Sequence, residues 1–149
     1  AYDGAIERIE GQLPGKTARA KSVLSWISYA QRPLSTGELC HALAVELDDE
    51  ELCEDNIPDV EDVVSACAGL VTVDKESRII RLVHYTTEDY LKGIREKWNP
   101  SAQYDIASTC LTYLCFKTFR SGSCADSEFK SRLEQNIFLD YSARYWGEH

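Results

Sequence analysis

Pro33-Leu34-Ser35-Thr36-Gly37-Glu38-Leu39 decides the fold. Ser35 with Glu38 three residues later is a capping box: each side chain bonds the other's backbone N–H at the start of a helix. Leu34 just before the cap and Leu39 at the fourth helical position form a hydrophobic staple. A helix therefore starts at about Thr36, with Leu39 and Leu43 facing inward. Upstream, Ala20, Val23, Leu24 and Ile27 recur at i, i+3, i+4 and i+7, one face of a helix that must stop before Pro33. Two helices joined by a tight turn make a helix-turn-helix.

The pattern continues on both sides. Tyr2 to Ile9 reads as a helix stopped by the Leu13-Pro14-Gly15 turn. After Ala44 comes an acidic loop. Pro58 then opens a third helix, with Val60, Val63, Val64 and Cys67 on one face and Gly69 as its C-terminal cap. Leu70 to Val73 and Ile79 to Val83 are apolar, β-branched runs around a polar turn, which is a hairpin. A further helix starts with Thr86 as cap, Asp89 three residues on, and Tyr85 stapled to Tyr90. Helix, helix, helix, hairpin, helix is the order of a winged helix. The fold class expected is mainly α with a small β-hairpin: a winged helix-turn-helix followed by a short helical subdomain. In that subdomain Ala107, Cys110, Leu111 and Leu114 predict an inward face from Ser101 to Phe116. Ser121 to Ser127 reads as a polar loop. Phe129 with Leu133, then Phe138, Tyr141 and Tyr145, predict two short helices.

Composition narrows the function. The 149 residues carry 16 Lys and Arg against 25 Asp and Glu, a net charge of −9. Ten of those acids lie between Glu46 and Asp62, where there is no Lys or Arg; the other 15 leave the rest of the chain at +1. The acidity is thus one solvated loop on a nearly neutral body. No basic residue stands between Ala44 and Asp74, so the third helix would meet phosphate with Asp59, Glu61 and Asp62. The hairpin adds only Lys75 and Arg78, beside Asp74 and Glu76. No nucleic-acid partner is expected, and no apolar run is long enough for a membrane span.

Catalytic and metal signatures are missing. The histidines are His41, His84 and His149, and no Gly-x-Ser-x-Gly elbow occurs. Gly15-Lys16-Thr17 ends like a phosphate loop, but Glu10 stands where its first glycine belongs. The six cysteines make no Cys-x-x-Cys pair, and Cys67 and Cys110 fall on apolar faces. Reduced thiols, a cytoplasmic location and no enzymatic activity are expected. The chain begins at Ala1 and has no Met, which reads as a piece of a longer protein.

His84, in Leu82-Val83-His84-Tyr85-Thr86, is the residue to single out. It stands between the second hairpin strand and the next helix, where an imidazole either caps locally or donates to an anion near a helix N-terminus.

Three stretches carry a resemblance. They are Pro33-Leu34-Ser35-Thr36-Gly37-Glu38-Leu39 with His41-Ala42-Leu43-Ala44, Asp62-Val63-Val64-Ser65-Ala66-Cys67-Ala68-Gly69-Leu70-Val71, and Ile79-Ile80-Arg81-Leu82-Val83-His84-Tyr85-Thr86-Thr87. They resemble the winged-helix region of fungal NACHT-type STAND proteins, relatives of NOD-like receptors that often carry ankyrin repeats. Sequence collections call that region a GPI inositol-deacylase winged-helix domain. The resemblance implies a linker helix from an upstream ATPase module over residues 1–13, a winged helix over 14–97, and the start of a helical domain over 98–149. It implies docking on the NACHT ATPase in the ADP state and release on exchange for ATP. His84 matches a histidine that touches the ADP β-phosphate; Val83 and Tyr85 replace the Met and Asp that flank it in plant relatives. No cofactor is expected in these residues themselves, with ADP or ATP bound in the parent protein. The partners implied are the intramolecular ATPase module and downstream repeats. Apolar positions on the first helix and near Tyr145 and Trp146 are the expected exposed docking surfaces. The alternative is a freestanding protein-protein adaptor whose loop acids Asp48, Asp49, Glu50 and Glu51 recruit a basic partner.

Overall fold

A computed structural model describes residues 2–116 and 126–149. Helix α1 spans Asp3–Glu10 and α2 spans Pro14–Tyr29, with Pro14 in its first turn, where no N–H is needed. Strand β1 is Leu34–Ser35 and α3 is Thr36–Ala44. A single 3₁₀ turn, Glu54–Asn56, interrupts the acidic loop before α4, Val60–Ala66. Strands β2, Val71–Val73, and β3, Ile79–Leu82, form the hairpin. Helices α5 (Tyr85–Trp98), α6 (Ala102–Leu114), α7 (Asp126–Gln135) and α8 (Leu139–Tyr145) follow, and the chain ends in a 3₁₀ turn, Trp146–Glu148.

The capping box is present in full. Glu38 N–H donates to Ser35 Oγ at 3.1 Å, and Ser35 N–H donates to Glu38 Oε1 at 3.0 Å. The staple residues Leu34 and Leu39 are both buried. Leu34–Ser35 also does something the sequence pattern did not predict. It pairs antiparallel with β3, Leu34 opposite Ile80 and Ser35 opposite Ile79, giving a three-stranded sheet in the order β1-β3-β2. Two residues carry no strand periodicity; only the tertiary pairing makes them a strand. Thr36 N–H donates to the Arg78 carbonyl at 2.9 Å, so the helix-turn-helix and the wing share a backbone bond.

The core runs through the whole described chain. Ile9, Val23, Leu24, Leu39, Val63, Ile80, Leu91, Ile106, Tyr113, Phe138 and Tyr141 all belong to one buried cluster. This corrects several expectations. Helix α1 does not offer an apolar docking face: Ala5 and Ile9 are buried in the common core, and Tyr2 and Ile6 pack against it. Helix α4 begins at Val60 rather than Pro58, after Asp59 at the cap position; its last helical residue is Ala66, and the chain leaves it through Ala68 (φ 50°) and Gly69 (φ 86°). The buried face of α6 is Ala102, Ile106, Cys110 and Tyr113, whereas Leu111 is 41% exposed. Two stripes overlap at Cys110, and the one with Tyr113 wins because its ring meets Phe138 edge-on at 5.3 Å. Phe129 of α7 points to solvent, and the aromatics that do the packing are Phe138 and Tyr141. The polar loop expected over Ser121–Ser127 lies mostly outside the described residues, and α7 begins within it. Cys67 and Cys110 are buried free thiols, as their faces predict, and Cys40, Cys53 and Cys115 are also free.

Candidate functional site

The site lies where β3 hands over to α5. Val83 N–H still donates to the Leu70 carbonyl at 3.0 Å, so the hairpin holds the chain extended up to His84 (φ −152°, ψ 152°). The helix then starts at Tyr85, two residues before a Thr86 cap would allow. His84 itself is the cap: its Nδ1 accepts from Thr86 N–H at 3.3 Å and lies 2.9 Å from Thr86 Oγ1. Thr86 is taken up instead by Tyr2, whose hydroxyl bonds its Oγ1 and joins α1 to α5. Tyr85 is 72% exposed, so it staples nothing, and Tyr90 packs on the Tyr2 ring at 5.4 Å.

The cap has a chemical consequence. An imidazole whose Nδ1 accepts must carry its proton on Nε2 when neutral. His84 is exposed, so that Nε2–H is the ring's remaining donor. It is flanked by two large exposed side chains, Val83 and Tyr85, and the Tyr85 ring lies 4.5 Å from the imidazole. The three residues rim an open cleft of about 640 Å³ between the end of α2, β1, β3 and the start of α5. Ile27 and Leu34 line its apolar side; Gln31, Arg32 and Arg81 bring polar and positive groups, and Glu88 brings one carboxylate.

Arg32 was not marked by the sequence pattern, yet it gathers the densest polar network in the described chain. Its Nη1 and Nη2 grip Glu38 at 2.9 and 2.6 Å, Nη2 also donates to Asp140 at 3.1 Å, and Nη1 reaches the Pro33 carbonyl at 3.1 Å. Its guanidinium lies over the Tyr141 and Tyr145 rings, at 5.3 and 6.0 Å. The hydrogen bonds it donates to Glu38 raise its already high pKa further. Tyr145 is therefore a half-buried packing residue, while Trp146 is 47% exposed. The signal missed was Asp140, too distant in sequence from Arg32 for any spacing rule to pair them.

The loop acids lie elsewhere. Asp48, Glu50 and Glu51 are exposed and Asp49 is half-buried, on the loop leaving the far end of α3, and none lines the cleft. Among the described residues no group of three or more His, Cys, Asp or Glu could hold a metal ion. Among the same residues no helix is long and apolar enough to cross a membrane.

A helix-turn-helix closed by a three-stranded wing, with an acidic third helix and a capping histidine after the wing, defines a winged-helix domain of the kind that is generally non-catalytic. Residues 7–116 match the family described as GPI inositol-deacylase, winged helix domain, and the chain belongs to that family. It is also similar to "Azaphilone pigments biosynthesis cluster protein L" of Monascus ruber, at 24% identity over 144 residues, covering 85% of this chain and 30% of that protein. The chain thus spans under a third of that relative's length. No solved structure matches it.

Proposed function

We propose that this winged-helix domain is a regulatory clamp within a NACHT-type STAND protein of the NOD-like receptor kind, docking on the ATPase module while ADP is bound and letting go when ATP replaces it. The observation that carries this reading is His84. Its Nδ1 is committed to the cap, the residue is exposed, and Val83 and Tyr85 expose apolar surface on either side. A donor left free by the cap, beside exposed apolar side chains on a cleft that Arg32 and Arg81 also line, suits contact with one phosphate at the edge of a protein-protein interface.

The physics is a two-state equilibrium. ADP favours the closed state only by the free energy of contacts it makes there and loses on opening. A histidine–phosphate hydrogen bond contributes about 1.5–3 kcal/mol, enough to change ADP release by roughly tenfold to a hundredfold. The test is a longer chain that carries the preceding ATPase module, with bound ADP and its release rate measured for the native residue, His84→Ala and His84→Asn. Asn is a good helix cap but brings no donor to the Nε2 position. Faster ADP release in both variants supports the clamp. Unchanged release in both sinks it and leaves His84 as a cap alone.

A further inference from the structure

The cleft that carries His84 has a second wall, the turn from Ala30 to Pro33, and this turn is gripped from the other end of the chain. Helix α8 holds it in three ways. Gln31 N–H donates to the Tyr141 hydroxyl at 3.1 Å. Arg32 Nη2 donates to Asp140 at 3.1 Å. The Arg32 guanidinium also lies over the Tyr141 and Tyr145 rings. From the turn the connection continues without a gap. Arg32 holds Glu38 of the capping box, Leu34–Ser35 pairs with β3, and β3 leads through Val83 to His84.

We infer that Arg32 is a positioning residue through which helix α8 sets the shape of the His84 cleft; the functional meaning of this coupling rests on the clamp reading above. Three features make the contact releasable. The Asp140 side chain is 37% exposed and is shared: Arg144, one turn along the same helix, holds its other oxygen at 2.9 Å. If α8 moves away, Asp140 keeps Arg144 and Arg32 keeps Glu38, whose side chain is only 11% exposed. Neither charge is left bare, so separation avoids the heavy cost of an unpaired buried ion. A displacement of the C-terminal helices therefore passes to the turn, then to the sheet and to the histidine.

The test is hydrogen exchange read by mass spectrometry on the 149-residue chain itself, comparing the native sequence with Asp140→Asn, Asp140→Glu and Tyr141→Phe. The reporting amides are Thr36, bonded to the Arg78 carbonyl, Val83, bonded to Leu70, and Thr86, bonded to His84. Asp140→Asn and Tyr141→Phe are each expected to speed exchange in segments 30–36 and 79–87 by about threefold to tenfold, a local opening change of the usual size. Asp140→Glu is expected to restore the native rate, which a merely structural role for the side chain would not require. Acceleration confined to residues 136–145 would overturn the inference, because α8 would then loosen without the cleft noticing. Rescue failure with Glu would overturn it as well. The result is independent of nucleotide: if His84→Ala leaves ADP release unchanged while Asp140→Asn loosens the cleft, the clamp reading fails and the coupling stands.

Discussion

Replacing Phe138 by Ala tests whether the C-terminal helices and the winged helix share one core. Phe138 is fully buried between α7 and α8. Its ring meets Trp26 of α2 edge-on at 5.4 Å, Tyr113 of α6 edge-on at 5.3 Å, and stacks on Tyr141 at 5.7 Å. Truncation removes the ring from three partners on three helices, and the two edge-on partners are themselves buried large side chains that cannot collapse into the gap. A Phe→Ala change in such a site costs about 3–5 kcal/mol. For a chain of this size each kcal/mol lowers Tm by about 2–4 °C, so the expected fall is roughly 6–20 °C. The assay is urea and thermal unfolding followed by far-UV circular dichroism and by near-UV aromatic signal. Both probes should move together in a single transition. A loss below about 1 kcal/mol would refute the packing argument, since a fully buried ring cannot vanish so cheaply. Two transitions, with only the later one carrying the hairpin, would also refute it: residues after 98 would then fold as a separate unit.

Three further outcomes follow from the same contacts. Ser35→Ala removes one half of the capping box and is expected to lower stability by about 1 kcal/mol, read from the shift of the urea midpoint. Alkylation of the native protein with iodoacetamide, mapped by peptide mass spectrometry, is expected to mark exposed Cys53 and Cys115 first and to spare Cys67 and Cys110, which are buried and whose pKa values burial pushes up to about 12 and about 11. Stability is expected to fall in alkali. Cys67, Cys110, Tyr113 and Tyr141 all have folded-state pKa values raised by burial, the two tyrosines to about 12. The unfolded chain therefore releases these protons first, so the stabilisation is complete below the ordinary thiol and phenol values and is lost as pH rises through about 11–12. A urea midpoint unchanged between neutral pH and about pH 10 would contradict this.

Local chemistry was legible in the sequence, and contacts between distant segments were not. Ser35 and Glu38 find each other within one turn, so the capping box, its staple and the start of α3 could be read directly. The free, buried state of Cys67 and Cys110 followed from helical spacing. The misreadings all involve a choice that a partner makes. The α6 sequence offers two apolar stripes sharing Cys110, and only the presence of Phe138 selects the one with Tyr113. Phe129 with Leu133 marks a helix correctly, but the pair does not tell that Phe129 is 55% exposed while Phe138 and Tyr141 are buried. Strand β1 exists only because β3 arrives beside it. Arg32 before Pro33 carries no local signal, because the residues that converge on it, Asp140, Tyr141 and Tyr145, stand more than a hundred positions away.

His84 shows how one residue serves two readings that sequence alone set against each other. Capping and anion contact would compete if they used the same nitrogen. Here Nδ1 takes the Thr86 N–H, and this fixes Nε2 as the protonated atom of the neutral ring. Capping thus leaves Nε2–H as the free donor of an exposed ring. The ring needs no carboxylate neighbour to choose its tautomer, because the helix N-terminus does so. Thr86 completes the arrangement from the other side: its Oγ1 bonds Tyr2, which ties α1 to the same turn. The preceding helix, the wing and the following helix therefore meet at the turn that carries the imidazole.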